Sequence, residues 1–251
     1  MNKFISICLS LVVLALFVDN ISGSLPDYIK ACSRSDPKLN ECALRVAKES
    51  AKRFAKGDTS RGIPSLDPIR VKEIKTLGAN SGPNQLKITL TDNVLTGPSN
   101  LEVTKMGLDV KKQKVSVHFF GDILLEAKYT MTGRILIIPL DGTGRARINL
   151  RDVKLQYLFD FDVVKGKDGK DYIKMKNDDL KYDIGKANFK LDNLFNGDKV
   201  LGETTNRLLN EQWRDLVGEL APPIVKEVRV AAKKTVQTFL SQVSYDELLL
   251  P

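Results

Sequence analysis

Histidine is nearly absent from this 251-residue sequence, in which His118 is the only example. Catalytic zinc is usually held by histidine-rich ligand sets, so this scarcity excludes a histidine-based metal centre. The nucleophile motif G-x-S-x-G does not occur. Gly142-Thr143-Gly144 lacks the Gly-Lys-Ser/Thr sequence and the following helix of a phosphate-binding loop, and we interpret it as a hairpin turn. We therefore predict that the protein is not an enzyme and has no metal site and no cofactor.

The single histidine lies between Val117 and Phe119 in a segment of alternating residues, in phase with Ser116. Because that face carries the polar residues of the segment, we interpret His118 as a half-exposed strand residue. Two other interpretations stay open. The imidazole could hydrogen-bond the polar head of a ligand, or it could serve a hydrolase, which would need a strained serine beside it.

Cysteine is also scarce, with three residues at positions 8, 32 and 42. Cys8 falls in an N-terminal segment that we expect to be removed. Cys32 and Cys42 remain as an even pair, which in an oxidising compartment predicts a disulfide. This bridge would join the mature N-terminus to a helix that begins near Leu39 and ends near Ala55.

Long apolar runs are confined to the N-terminus. Lys3, an apolar core over residues 4–18 and small residues at Gly23 and Ser24 predict a secretory signal peptide over residues 1–23. The run is short for a membrane span and no stop-transfer charges follow it, so we predict no stable membrane insertion. Residues 24–251 should then form a single secreted, extracellular domain.

Basic residues outnumber acidic ones by 39 to 31, which gives a formal net charge of +8. Such a surface favours acidic partners or carboxylate ligands. The lysines are scattered and no aromatic stripe or nucleic-acid motif accompanies them, so we predict no nucleic-acid binding.

The longest periodic pattern is the apolar stripe over residues 205–243, whose members recur every three or four positions, as on one side of a helix. Pro222 and Pro223 interrupt it, and a proline inside a helix lacks a donor and clashes with the carbonyl four residues earlier. The pattern predicts either one bent helix or two helices that meet end to end. At about 1.5 Å per residue, the stripe is roughly 55–60 Å long.

From Ile69 onward the apolar residues alternate with polar ones, as in half-buried strands. The predicted strands cover residues 69–74, 86–90, 101–110, 115–119, 123–131, 133–140, 146–162, 172–175 and 180–192. The predicted turns cover residues 97–98, 111–113, 121–122, 141–144, 166–169 and 196–197. Short turns join antiparallel strands, so these segments predict a meandering antiparallel sheet.

A long one-sided sheet beside a long one-sided helix buries both apolar faces if the sheet curls around the helix. We therefore predict an α+β fold in which a highly curved antiparallel sheet wraps the long C-terminal helix. Such a wrap leaves a deep, narrow apolar interior, which a lipid-like molecule can occupy where side chains do not fill it.

Short motifs in a fixed order along the mature chain resemble the insect takeout and juvenile-hormone-binding family. They are the pair Cys32 and Cys42, Gly-Ile-Pro-Ser-Leu-Asp-Pro at 62–68, Asp-Gly-Thr-Gly-Arg-Ala at 141–146, Leu-Asp-Asn-Leu-Phe-Asn-Gly at 191–197, residues 206–213 and the proline-containing helix. The resemblance implies an α-helix wrapped in a curved sheet, related to the tubular lipid-binding folds. It also implies a secreted carrier with an internal tunnel for an apolar ligand, in a family with circadian and feeding-related members.

The haemolymph carriers of this family resemble a design with a second disulfide. No cysteine follows Cys42 in this sequence, so a second bridge is impossible. This departure favours the takeout branch over the hormone carriers.

These observations predict a secreted carrier that binds a small apolar ligand, such as a fatty acid, an isoprenoid or a juvenile-hormone-like molecule, in an internal tunnel. The alternative is an extracellular signalling or partner-binding protein in which a lipid is only structural. A large exposed apolar patch would favour that alternative. The sequence identifies no protein partner or receptor.

The tunnel lining can be predicted only as a set of candidates. Alternation places Tyr157, Phe159 and Phe161 on one face of a strand and Asp160 and Asp162 on the other, which makes the aromatic trio the leading candidate. An apolar helix stripe is ordinarily core, but the family resemblance favours a ligand-facing role for part of it. The full candidate set is Phe119, Tyr129, Ile135, Ile137, Tyr157, Phe159, Phe161, Trp213, Leu216, Leu220 and Phe239.

Overall fold

A computed structural model describes residues 24–77, 86–135 and 138–251 of the chain. The predicted signal peptide over residues 1–23 lies outside the described residues. In chain order the elements are β1 (Cys32–Ser33), α1 (Leu39–Ala55), β2 (Ile69–Leu77), β3 (Lys87–Thr96), β4 (Glu102–Asp109), β5 (Lys114–Ile135), β6 (Ile138–Lys165), β7 (Asp171–Leu191), α2 (Lys199–Glu211), α3 (Trp213–Leu240), α4 (Tyr245–Leu248) and β8 (Leu249–Leu250).

Six strands form one antiparallel sheet in the order β2-β3-β5-β6-β7, with β4 paired to the first part of β5. Strand β6 has 28 residues, which would span roughly 90 Å if it were straight. Register shifts interrupt the pairing of β3, β4, β5 and β6, and such bulges bend and twist the strands that contain them. The long strands can therefore curve.

The sheet wraps the long C-terminal helix, because its two edge strands β2 and β7 both contact α3. The predicted α+β fold with a large antiparallel sheet around this helix is confirmed. The two halves of the enclosed core differ in composition. The first surrounds Tyr129, Phe189 and Trp213, and the second surrounds Phe161 and Phe239.

Two predicted turns are wrong. Gly121-Asp122 is a bulge inside β5, where Asp122 leaves the ladder and its Oδ1 accepts a hydrogen bond from the Asp152 backbone N–H at 3.0 Å. Residues 141–144 lie inside β6, paired with β5. The two glycines at 142 and 144 serve close packing there, because the chain at 192–194 crosses directly over them.

Several predicted strands merge once these turns are removed. Residues 115–119 and 123–131 form one strand, β5, and residues 172–175 and 180–192 belong to one strand, β7, which ends at Leu191. The predicted strand over 133–140 is instead the end of β5 and the start of β6, which pair with each other. A bulge and a turn both place glycine and aspartate beside a strand, so the local sequence does not separate them.

The C-terminal helix breaks at Gln212 and not at the prolines. Gln212 has a non-helical backbone (φ −100°, ψ 28°), whereas α3 continues through Pro222 and Pro223. The break lies directly after α2, and two asparagine side chains of α2 bind the backbone of β7. Asn206 pairs with both backbone groups of Leu191 at 2.9 Å, and Asn210 pairs with those of Phe189 at 2.7 and 2.8 Å.

The predicted disulfide between Cys32 and Cys42 is present and joins β1 to α1. Strand β1 pairs in parallel with β8, so the same bridge holds the beginning of the described chain and its C-terminus beside α1. Helix α1 spans Leu39–Ala55, which agrees with the predicted start near Leu39 and the predicted end near Ala55.

Replacing Cys42 by Ser should lower the free energy of unfolding by about 2–4 kcal/mol, because the reduced chain regains loop entropy when it unfolds. For a domain of this size, the loss corresponds to a melting temperature lower by roughly 5–15 °C. Thermal unfolding followed by circular dichroism would measure the difference. Reductant should lower the melting temperature of the parent protein and leave that of the variant unchanged. Equal melting curves for the two proteins would contradict a stabilising bridge.

Gly144→Ala should destabilise the fold by about 1–3 kcal/mol, because a Cβ at this position would collide with the backbone carbonyl oxygen of Asp192. The matched control is Gly218→Ala in α3, where a Cβ would meet no atom within 4 Å. That variant should gain about 0.5–1 kcal/mol from the lower backbone entropy of alanine. Urea unfolding of both variants would test the pair. A neutral Gly144→Ala variant would argue against the crossing of residues 192–194 over β6.

Candidate ligand-binding cavity

A cavity of about 400 Å³ lies between the two halves of the core, and both halves contribute lining residues. The inner face of the sheet, helix α1 and the C-terminal part of α3 all contribute to its wall, together with residues of the C-terminus. Almost all of the lining side chains are apolar. Representative lining residues are Val117, Leu155 and Ile184 from the sheet, Val46 and Phe54 from α1, and Val225, Val228 and Val236 from α3.

Helix α1 presents one continuous face to the cavity, a contribution that our sequence analysis missed. Its lining residues are Ala43, Val46, Ala47, Ser50, Ala51, Phe54 and Ala55. The spacing of three and four positions is the signature of a single helical face, so the pattern was available in the sequence. Alanine at four of these positions leaves volume that larger side chains would fill. The only polar group on this face, the Ser50 hydroxyl, donates a hydrogen bond to the Val46 carbonyl at 2.7 Å.

Aromatic rings close the cavity between its elements. Phe54 of α1 and Phe239 of α3 meet edge to face with ring centroids 5.3 Å apart. On β6, the rings of Tyr157 and Phe159 are neighbours at 6.0 Å. The first contact joins α1 to α3, and the second places two rings side by side on the part of the wall formed by β6.

The Tyr157 hydroxyl points out of the cavity towards a cluster of charges between β7 and α3. It donates a 3.4 Å hydrogen bond to Asp178, whose side chain is 5% exposed. The Lys233 ammonium lies 2.8 Å from the same carboxylate, and Arg229 donates to the Asp178 backbone carbonyl at 2.9 Å. Burial, together with the Asp178 carboxylate, raises the pKa of Tyr157 well above its ordinary value. The phenol therefore stays neutral and remains a donor.

Comparison with known proteins identifies the fold and the family. The sequence profile of the family described as "Haemolymph juvenile hormone binding protein (JHBP)" matches residues 8–250. The chain belongs to this family. It is 27% identical to "Circadian clock-controlled protein daywake" of Drosophila melanogaster over 90% of its own length and 88% of the relative. The Drosophila yakuba protein of the same name is also 27% identical, over 96% of each chain.

A solved structure, Takeout 1 of Epiphyas postvittana, shares the fold. It superposes with a TM-score of 0.81 at 24% sequence identity, over 89% of this chain and all of the other. The resemblance to the takeout and juvenile-hormone-binding family is thus confirmed. The JHBP family is named for binding, which agrees with the prediction of a binding protein.

The structure brings four of the predicted lining residues to the cavity: Phe119, Tyr157, Phe159 and Phe239. Five others lie in the packed core outside the lining: Tyr129, Phe161, Trp213, Leu216 and Leu220. Ile137 lies outside the described residues, and the side chain of Ile135 does so as well. The cavity lies beside the C-terminal part of α3 only, because large side chains fill the space beside the first two turns of this helix.

The aromatic trio of β6 faces inward together, as the alternation predicted, and all three rings are buried in the second core. The register shift between Phe159 and Phe161 places its extra residue on β7, so the alternation along β6 is kept. Tyr157 and Phe159 line the cavity, whereas Phe161 is fully buried in the second core. Its backbone N–H donates to the Gln113 carbonyl at 3.0 Å.

The structure adds three observations on the other candidate chemistries. His118 is half-buried on β5 opposite Lys105 and Gln156, and no hydrogen bond joins its imidazole to a serine of the described chain. Within the described ranges, no group of three or more potential ligand side chains could hold a metal ion. No described helix combines the length and apolarity needed to cross a bilayer.

Tyr129 offers a test of the packed half by pH. Its side chain is 1% exposed and its hydroxyl donates to the Asp192 carbonyl at 2.7 Å. Burial, with the Asp192 carboxylate adding to it, raises the pKa of Tyr129 from 10.0 to about 12. The unfolded chain therefore loses this proton first as the pH rises. Between pH 10 and about 12, the free energy of unfolding should fall by about 1.4 kcal/mol per pH unit from this residue.

Urea unfolding of the parent protein and of Tyr129→Phe at pH 9, 10 and 11 would isolate that contribution. The variant should start less stable because it loses a hydrogen bond, but its stability should decline less steeply above pH 10. Parallel slopes for the two proteins would show that Tyr129 ionises as freely in the folded state as in the unfolded chain.

Proposed function

We propose that this protein is a secreted carrier that holds a small apolar ligand in the cavity between α1, the sheet and α3. The observation that carries the proposal is an apolar cavity of about 400 Å³ inside a folded domain. Known ligand pockets fall in the range of roughly 300–1,000 Å³ and are lined mainly by apolar and aromatic side chains. Cavities of this character exclude water and bind apolar molecules.

Binding of the ligand requires no covalent reaction. Each methylene group that leaves water contributes about 0.8 kcal/mol before the costs of ordering the ligand. A fatty-acyl or isoprenoid chain therefore gains affinity through its length, and the width of the cavity sets which chains fit. Membership of a family named for juvenile hormone binding supports a hydrophobic ligand, and the fold of Takeout 1 supports a similar enclosure.

Secretion is part of the same proposal. The apolar N-terminal segment with a basic start predicts export, and the Cys32–Cys42 disulfide is typical of an oxidising compartment. The names of the Drosophila relatives suggest that expression of this carrier follows the circadian clock.

The proposal is tested by a displacement titration on the delipidated mature chain, residues 24–251. An uncharged fluorescent probe, N-phenyl-1-naphthylamine, is first bound and then displaced by a panel of fatty acids, isoprenoids and juvenile hormones. Saturable displacement by one class is the expected outcome. If neither the probe nor any panel member binds, the carrier proposal is wrong and the partner-binding alternative leads.

A cavity-filling variant shows whether the displacement takes place in the cavity. Ala232 lines it, so Ala232→Phe should weaken binding roughly tenfold or more by removing the space a ligand needs. Val230→Phe is the matched control on the same helix, because Val230 is 52% exposed and faces solvent. Equal affinities for the two variants would place the ligand elsewhere.

A further inference from the structure

Among the residues that the structure describes, Lys30 is the only charged one in the lining of the cavity. It is exposed to solvent, so it lies at the rim and not in the interior. Its position is fixed on both sides. Before it, the Ile29 backbone N–H donates to the Pro26 carbonyl at 2.9 Å. Two residues after it, Cys32 is held by the disulfide to Cys42.

The Lys30 ammonium has no described acidic side chain within ion-pair distance. The acid nearest in sequence, Asp27, is paired with Arg53 at 3.2 Å. Several other lysines do pair with an acid, as Lys48 does with Glu102 at 3.5 Å. The rim therefore carries an uncompensated positive charge next to an apolar cavity.

The other polar end of the cavity does not suit an anion. Behind Tyr157, the Asp178 carboxylate already pairs with Lys233 and Arg229, and none of these three residues belongs to the lining. A ligand carboxylate there would meet a fixed carboxylate of the same sign. The charge pattern favours a negative head group at Lys30 and an apolar tail inside.

We propose that Lys30 selects apolar ligands that carry a carboxylate, which bind with the tail in the cavity and the head group at the rim. This inference rests on the proposed carrier function and names the ligand class, a fatty-acid-like molecule. An exposed ion pair changes affinity by only about two- to fivefold, and added salt weakens it. Lys30 thus sets a preference among ligands of equal tail length, whereas the apolar wall supplies most of the affinity.

The test compares two ligands that differ only in the head group, dodecanoic acid and methyl dodecanoate. Each ligand is titrated against bound N-phenyl-1-naphthylamine at pH 8, once in 50 mM salt and once in 500 mM salt. Lys30→Glu should weaken binding of the acid by about three- to tenfold at low salt and less at high salt. Binding of the ester should not change. Lys30→Gln should give a smaller effect in the same direction.

Lys52→Glu is the matched control, because Lys52 is an exposed residue of α1 outside the lining, and its replacement makes the same change in net charge. It should leave both affinities unchanged. If Lys30→Glu leaves the ratio of acid affinity to ester affinity unchanged, the inference is overturned. The carrier function still stands in that case if the ester binds. If Tyr157→Phe, and not Lys30→Glu, changes the ratio of acid affinity to ester affinity, the head group lies inside the cavity beside Tyr157. That result also overturns the inference. Absence of binding by both ligands overturns the carrier function and this inference together.

Discussion

The free backbone edges of the sheet are the constraint on which the rest of the structure depends. An unpaired edge strand exposes a row of N–H and C=O groups that must find partners or attract another chain. Here the helices supply those partners along β7. Asn206 and Asn210 of α2 bind one end of the strand, and Gln237 of α3 accepts from the Met175 N–H at 2.8 Å at the other. On β4, the side chain of Asn40 accepts from the Leu108 N–H at 2.7 Å.

These amide contacts also decide where the cavity lies. They hold α2 and α3 against one edge of the sheet, and α1 against β4, at distances set by hydrogen bonds and not by the size of the apolar side chains between them. Where Trp213, Tyr129 and Phe189 fill the interval, the core is solid. Where the facing residues are alanine and valine, as on α1 and the C-terminal half of α3, the same spacing leaves an open volume.

The sequence predicted the parts of the fold that depend on periodicity and missed those that depend on crossing chains. The helical stripe, the alternating strands and the single disulfide follow from local spacing. The break at Gln212 was assigned to Pro222 and Pro223, because the asparagine contacts that orient α2 join residues far apart in the chain. Residues 141–144 were assigned to a turn because the local pattern does not show that residues 192–194 cross them. Of the predicted lining residues, Phe119, Tyr157, Phe159 and Phe239 lie at the cavity. The face of α1 is visible in the spacing of its alanines but was not predicted, and which inward residues of β6 border open volume depends on packing between distant elements.

A cavity of this size has an energetic consequence for a carrier. Side chains that border unfilled volume lack packing contacts on one side, and large-to-small core substitutions show that such volume lowers stability. The shell therefore needs support that does not pass through the cavity, and the disulfide, the β1–β8 pairing and the amide contacts at the sheet edges provide it. A ligand restores the missing contacts only in the folded state, so loading and stability rise together.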